Sequence, residues 1–164
     1  MVLVAYLSKA GSTKEVAEEI GKIFNTNGIE TDIKELTAVQ NLDRYSGIIV
    51  GAPINGFRWL PEAEKFIEDN KERLKNLPTS YFMLSYLLKT GRDSLKKKMK
   101  NTLSKAKTIV TPVSTGLFGG KVDKNFPAVA RVMFGVKKEA PLDARDWDEI
   151  RAWATELAGS YQKQ

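Results

Sequence analysis

The first residues of the chain place a buried strand, a loop of small residues and an amphipathic helix in direct succession. Residues 2–7 (VLVAYL) form a short apolar run typical of a strand buried on both faces. The next six residues are Ser8, Lys9, Ala10, Gly11, Ser12 and Thr13, and apolar residues then recur at helical spacing over residues 16–24. Such a loop presents free backbone N–H groups and the positive end of a helix dipole, so it predicts a seat for a phosphate group.

Two interpretations of this loop are open from the residues alone. It is either a phosphate-binding loop or an ordinary strand-to-helix turn in which Ser12 or Thr13 caps the helix. The nucleotide-binding patterns GxxxxGK[ST] and GxGxxG are both absent. The pattern [S/T]-x-x-G-x-T after a first strand resembles the FMN phosphate loop of flavodoxins, although Ala10 stands where most of them carry a third hydroxyl group.

The composition narrows the possible chemistry. The 164 residues are enough for one domain, spanning residues 1–164, with a substantial core. The absence of cysteine and histidine excludes thiolate nucleophiles, iron–sulfur clusters, Ser-His-Asp triads and histidine-based metal sites. Any redox chemistry must therefore come from a bound organic cofactor. No membrane span or signal peptide is indicated, so we expect a cytoplasmic protein.

Positive charge is concentrated in one segment. Residues 89–107 carry one acid, Asp93, and eight basic residues, which are Lys89, Arg92, Lys96, Lys97, Lys98, Lys100, Lys105 and Lys107. The pattern predicts a single helix whose basic part, from Lys96 to Lys107, is either simply solvated or docks an acidic redox partner or an anionic lipid surface. Binding to nucleic acid is disfavoured, because the aromatic residues do not alternate with the lysines and no recognition motif is present.

Alternating strands and helices predict the fold class. Four further strands are expected at residues 30–36, 46–51, 81–87 and 108–114, and a helix is expected at residues 61–75. The order of elements indicates an α/β fold, a doubly wound five-stranded parallel sheet in the order 2-1-3-4-5.

Three loops should meet at one edge of this sheet. The loops at residues 8–13, 51–59 and 85–90 follow strands 1, 3 and 4, so they lie around the crevice where such folds bind ligands. The second and third loops carry Phe57, Trp59 and Tyr86. Aromatic side chains beside a phosphate seat suit a flat, phosphorylated ring system, whereas packing in the core is the alternative for each of them.

The loops SKAGST, GAPINGFRW and YLLKTG resemble those of flavodoxins, and the likeness extends over essentially the whole chain. The closer likeness is to the flavodoxin-domain group that includes the menaquinone-dependent protoporphyrinogen oxidases. It rests on GAPI, ERLKNLP, TGLFGGKVD, the apolar segment after them and the final DWDEI helix. The resemblance implies non-covalently bound FMN.

The same resemblance implies where FMN would lie. Residues 8–13 would hold its phosphate group. The ring system would be flanked on one side by Pro53, Ile54, Asn55, Gly56 and Phe57, and on the other by Ser85, Tyr86 and Leu87. Asn55-Gly56 is a dipeptide that tolerates positive φ, so we propose that its peptide flips and that the Asn55 carbonyl group then accepts a hydrogen bond from reduced flavin.

This chain departs from the acidic electron-carrier flavodoxins in its charge. Lys9, Arg58 and Lys89 are expected near the flavin, where cations would raise its reduction potential by favouring the anionic reduced form. We expect no catalytic side chain and no metal.

Two functions remain open. The favoured one is an FMN protein that transfers electrons between redox partners, and the alternative is a flavin-dependent oxidase or quinone reductase of the protoporphyrinogen oxidase type. The apolar segment at residues 123–135 is either a short helix that covers the sheet end or a contact for a quinone or a membrane surface, which would make the protein peripheral to the membrane. A response regulator is excluded, because the positions that need acidic residues carry Ser8-Lys9 and Gly51-Ala52-Pro53.

Overall fold

A parallel sheet covered by helices on both faces forms the frame of the molecule. The computed structural model describes residues 1–163. The strands are β1 (Val2–Tyr6), β2 (Thr31–Glu35), β3 (Gly47–Asn55), β4 (Arg58–Trp59), β5 (Thr79–Ser85) and β6 (Thr115–Gly119). The helices are α1 (Ser12–Thr26), α2 (Pro61–Asp69), α3 (Lys71–Leu74), α4 (Tyr86–Thr90), α5 (Asp93–Lys100), α6 (Ser104–Ile109), α7 (Ala128–Phe134) and α8 (Trp147–Gln162), with a 3-10 turn at Leu36–Ala38.

The order of the strands confirms the predicted topology. The main path of the sheet runs β2-β1-β3-β5-β6, and every neighbouring pair along it is parallel. The short strand β4 pairs with β3 in the antiparallel direction and lies off this path. The predicted order 2-1-3-4-5 is therefore correct, with β5 and β6 as its last two strands.

Two apolar cores hold the layers together. Along β3, Ile48 and Val50 pack on one face of the sheet with the buried side chains of α2, α3, α5 and α6. Ile49 points to the other face and packs with α1 and α8. Strands buried on both faces explain the nearly continuous apolar runs in the sequence.

The last strand lies later in the chain than predicted. A strand at residues 108–114 is wrong, because Thr108 and Ile109 end α6 and Pro112 has no backbone N–H to donate. The actual last strand, β6, contains glycines that make it difficult to recognise in the sequence. A Cβ at Gly116 would lie 2.5 Å from the Phe118 ring, and one at Gly119 would lie 1.9 Å from the Ala144 carbonyl oxygen. Glycine lowers strand propensity, but the packing requires it here.

The predicted boundaries of β3 and β5 also need correction. β3 extends to Asn55 and turns back into β4, where the sequence predicted a loop. β5 ends at Ser85, and Tyr86 begins α4 instead of continuing the strand.

Two predicted helices are divided in the structure. The helix expected at residues 61–75 breaks at Asn70, whose side-chain amide donates to the Phe66 carbonyl oxygen at 2.8 Å. The basic helix is in fact α5 and α6, separated by a turn after Lys100. Among the described helices, none has the length and apolar character needed to cross a membrane.

Candidate functional site

A cavity of about 330 Å³ lies at the carboxyl edge of the sheet. β1 ends at Tyr6, which pairs with Gly51, whereas β3 continues four residues further, so the β3–β4 hairpin extends past the end of β1. The cavity brings all three predicted loops together, which is the expected place for a ligand in this topology. The predicted site residues that line it are Ser12, Pro53, Ile54, Gly56, Phe57, Ser85, Tyr86 and Leu87.

The loop before α1 and the first turn of this helix leave polar groups without partners. Gly11, at φ +86°, occupies the N-cap position and no side chain caps the helix, so the alternative of a Ser12 or Thr13 cap is wrong. The hydroxyl oxygens of Ser8 and Thr13 are buried and have no hydrogen-bond partner within residues 1–163. Thr13 is only 1% exposed. Buried hydroxyl groups without partners are costly, and together with the uncapped helix end they fit an anion with several acceptor oxygens.

A second cavity connects this loop to the larger one. It has a volume of about 250 Å³ and is lined by Ala10, Ser12, Lys121, Val122 and Asp123. Three of these residues, Ser12, Lys121 and Val122, also line the larger cavity, so the two adjoin. Lys121 is exposed and makes no ion pair with any described residue, and it is therefore available to a negative group at the loop.

The hairpin presents Phe57 in a strained conformation. Gly56 (φ +55°) and Phe57 (φ +63°) are the two central residues of the turn, so the turn lies one residue later than the Asn55-Gly56 pair. Asn55 ends β3 and does not line the cavity. Contacts hold the Phe57 ring in place: the Lys98 ammonium group lies 4.6 Å from the ring centre, and the Phe134 ring lies 6.0 Å away.

Trp59 and Tyr86, the other two aromatic residues expected at the ligand crevice, lie in different environments. Trp59 is buried in the core, packs against Tyr81 and donates its indole N–H to the Ala52 carbonyl oxygen at 3.1 Å, so its predicted place at the ligand crevice is wrong. Tyr86 does line the cavity. Its hydroxyl group donates to the Pro141 carbonyl oxygen at 2.8 Å, and its ring meets that of Phe126 edge to face.

Sequence reasoning missed one wall of the cavity. This wall consists of residues 120–122 after β6, together with Phe126 and Phe134 around α7. The sequence predicts the last strand too early in the chain, so it also misplaces the carboxyl end of that strand. The Gly119-Gly120 pair was the available signal: a Cβ at Gly120 would lie 2.8 Å from the Tyr86 backbone nitrogen, so only glycine allows this close approach.

Arg145 ties the C-terminal part of the chain to the first turn of α1. Its side chain is 3% exposed and donates to the Ser12 carbonyl oxygen at 3.3 Å, to Glu15 at 2.7 Å and to Asp143 at 2.6 Å. The hydrogen bond from Arg145 holds the pKa of Asp143 below its ordinary value. These hydrogen bonds therefore help to fix the position of the first turn of α1 and of the loop that precedes it.

The three cations that were expected near the flavin do not line the larger cavity. Lys89 pairs with Glu149 at 2.9 Å, and neither it nor Lys9 nor Arg58 lines the cavity. Lys121 lines it instead, and Lys98 contacts the ring of Phe57, which also lines it. Within the described part of the chain, no group of acidic residues could hold a metal ion.

Comparison with solved structures agrees with this fold. Solved structures with the same fold include a single-site mutant of a flavodoxin from Pseudomonas aeruginosa (TM-score 0.63, 15% identity, 98% of both chains). Others are the Streptococcus pneumonia TIGR4 flavodoxin (TM-score 0.61, 20% identity, 97% of this chain and 98% of that one) and a two-electron reduced Megasphaera elsdenii flavodoxin (TM-score 0.55, 20% identity, 95% and 99%).

The sequence itself identifies the family. No curated protein sequence matches the chain. The family model described as a flavodoxin domain, however, matches residues 3–139, which is most of the chain. None of these matches points to the protoporphyrinogen oxidase group. The chain belongs to the flavodoxin domain family.

Proposed function

We propose that this protein binds FMN without a covalent bond and carries electrons between redox partners. The observation that carries the proposal is the pair of buried, unpartnered hydroxyl groups on Ser8 and Thr13 at an uncapped helix start. A phosphate group would satisfy both hydroxyls and the free N–H groups of α1. The flavodoxins that share the fold support this assignment.

The residues present fit the two ends of FMN. Residues 8–13 and Lys121 would hold the phosphate group, and the aromatic-lined cavity at Phe57 and Tyr86 would take the ring system. Bound FMN would supply the redox chemistry. The chain's part is to bind and orient it and to exclude water, because no acidic side chain or histidine is among the described residues that line the larger cavity.

Titration of the protein with FMN tests the proposal. We expect quenching of FMN fluorescence at a 1:1 ratio with a Kd at or below about 1 μM, and clearly weaker binding of riboflavin, which lacks the phosphate group. Equal affinity for the two flavins would contradict the phosphate seat. A protein that binds neither would overturn the proposal.

An oxidase or quinone reductase of the protoporphyrinogen oxidase type is the competing function. The apolar helix α7 beside the cavity is the feature that favours it. Oxidation of a porphyrinogen with a quinone as the electron acceptor, or steady-state reduction of a quinone by an added electron donor in the presence of the FMN-loaded protein, would decide for the enzyme. We expect neither and instead expect exchange of electrons with redox proteins.

A further inference from the structure

Helix α7 exposes an apolar face next to the cavity. Val129, Val132 and Met133 are 79%, 83% and 55% exposed, and no residue of the helix is buried. We call these three side chains the α7 face. An exposed apolar patch of this kind is characteristic of an interaction surface.

Positive charge lies close to the α7 face. Lys98 contacts Phe57, whose ring meets Phe134 at the end of α7. The carbonyl groups of Lys137 and Lys138 accept hydrogen bonds from Arg131 in the middle of the helix. All three lysines are exposed, and none forms an ion pair with another described residue.

The charge imbalance belongs to one part of the chain, which includes α5 and α7. Residues 89–138 contain 13 basic and two acidic residues, whereas the remainder contains 13 basic and 18 acidic residues. The backbone N–H of Arg92, at the start of α5, donates to the Phe134 carbonyl oxygen at 3.1 Å, so the basic helix α5 borders α7 directly. Helix α6 instead ends shortly before the amino end of β6, away from the cavity.

We propose that the α7 face and the lysines around it dock an acidic redox protein. An apolar centre with a charged rim is the usual construction of a protein interface, and a positive rim selects a partner with carboxylates. The inference rests on the proposed function and names the partner of that site, because a protein bound at α7 lies beside the cavity. It restricts the docking surface to α5 and α7 and leaves out α6.

The orientation of the aromatic side chains favours a protein over a membrane. Phe126 and Phe134, before and at the end of α7, turn inward to Tyr86 and Phe57. A helix that lies in a membrane interface presents residues such as Trp, Phe and Leu to the lipid, whereas α7 presents two valines and a methionine.

The test measures reduction of the FMN-loaded protein by a reduced acidic ferredoxin in a stopped-flow instrument. We expect the bimolecular rate constant to fall as ionic strength rises. Val132→Asp and Lys138→Glu should each lower it about tenfold at low salt. Lys107→Glu on α6 makes the same charge change as the second variant and should alter it by less than about twofold. FMN affinity should be the same in all four proteins.

The outcomes separate this inference from the proposed function. Normal FMN binding with equal rate constants for Val132→Asp, Lys138→Glu and Lys107→Glu would overturn the inference alone. So would faster reaction with a basic cytochrome than with the ferredoxin, or loss of binding to phosphatidylserine vesicles in Val132→Asp without any change in the ferredoxin rate. Failure of the unaltered protein to bind FMN would overturn the proposed function and this inference with it.

Discussion

At the scale of single residues, the site depends on polar groups that find no partner within the described part of the chain. The Thr13 hydroxyl group is the clearest case, because it is buried in the first turn of α1 and makes no hydrogen bond to a described residue. No described protein group compensates for the removal of this hydroxyl group from water, and a ligand that accepts its hydrogen bond would offset that cost.

Thr13→Val should therefore lower the affinity for FMN without lowering the stability of the apo protein. The substitution keeps the shape and removes only the hydroxyl group, so the apo protein should be as stable as the unaltered one or more stable by up to about 1 kcal/mol. FMN affinity should fall by roughly tenfold, while riboflavin affinity should not change. Fluorescence titration and thermal unfolding measure the two effects. Thr26→Val, exposed at the other end of α1, is the control. An equal loss for both flavins would contradict a phosphate contact.

Gly56 tests the proposed backbone movement in the hairpin. A β-branched residue is poorly tolerated at φ +55°, so Gly56→Val should disfavour this turn by roughly 1–2 kcal/mol. If the Asn55 peptide flips on reduction, the separation between the two one-electron midpoint potentials of bound FMN should decrease, as measured by a spectroscopic redox titration. Gly28→Val, also at positive φ but in the turn after α1, is the matched control. An unchanged separation between the two midpoint potentials would refute the proposed peptide flip.

At the scale of elements, periodicity predicted the strands with purely apolar runs and failed where packing overrides propensity. β1 and the start of β3 were recognisable because they are buried on both faces. β6 was not, since the Phe118 ring on the same strand leaves no room for a Cβ at Gly116, and the Ala144 backbone leaves none at Gly119. The wall after β6 was missed together with the strand, although the Gly119-Gly120 pair was an available signal. The order of strand, loop and helix at the start of the chain agrees with the prediction, although α1 already begins at Ser12, and a phosphate seat at residues 8–13 stays a prediction.

The connection between β6 and α8 should lose stability in acid. The Asp143 pKa lies below its ordinary value of 3.8 because Arg145 donates hydrogen bonds to it. The carboxylate therefore stabilises the fold above about pH 4, and this contribution is lost as the pH falls through the lowered pKa. Asp143→Asn should have a smaller decline in the free energy of unfolding below pH 4, measured by urea titrations at several pH values. Glu156→Gln, exposed on α8, should decline as the unaltered protein does.

At the scale of the whole molecule, contacts within the protein hold the sheet and the walls of the cavity to different degrees. The strands pack between two apolar cores, whereas the walls of the cavity are the β3–β4 hairpin, the loop before α1 and the segment around α7. The walls contain the unpartnered hydroxyl groups, the strained Phe57 and the apolar helix α7, none of whose residues is buried. A ligand that contacts all of them would link them to the sheet.

FMN should consequently stabilise the protein and protect its cavity walls selectively. At a free concentration of 100 times Kd, binding adds about 2.7 kcal/mol, which should raise Tm by roughly 5–10 °C in a domain of this size. In hydrogen exchange, residues 8–13, the β3–β4 hairpin and residues 120–136 should gain protection, while the centre of the sheet should change little. Removing FMN by dialysis should reverse both effects. A rise in Tm with equal protection everywhere would show that the walls are already as firmly held as the sheet, and the absence of any rise would contradict FMN binding at this cavity.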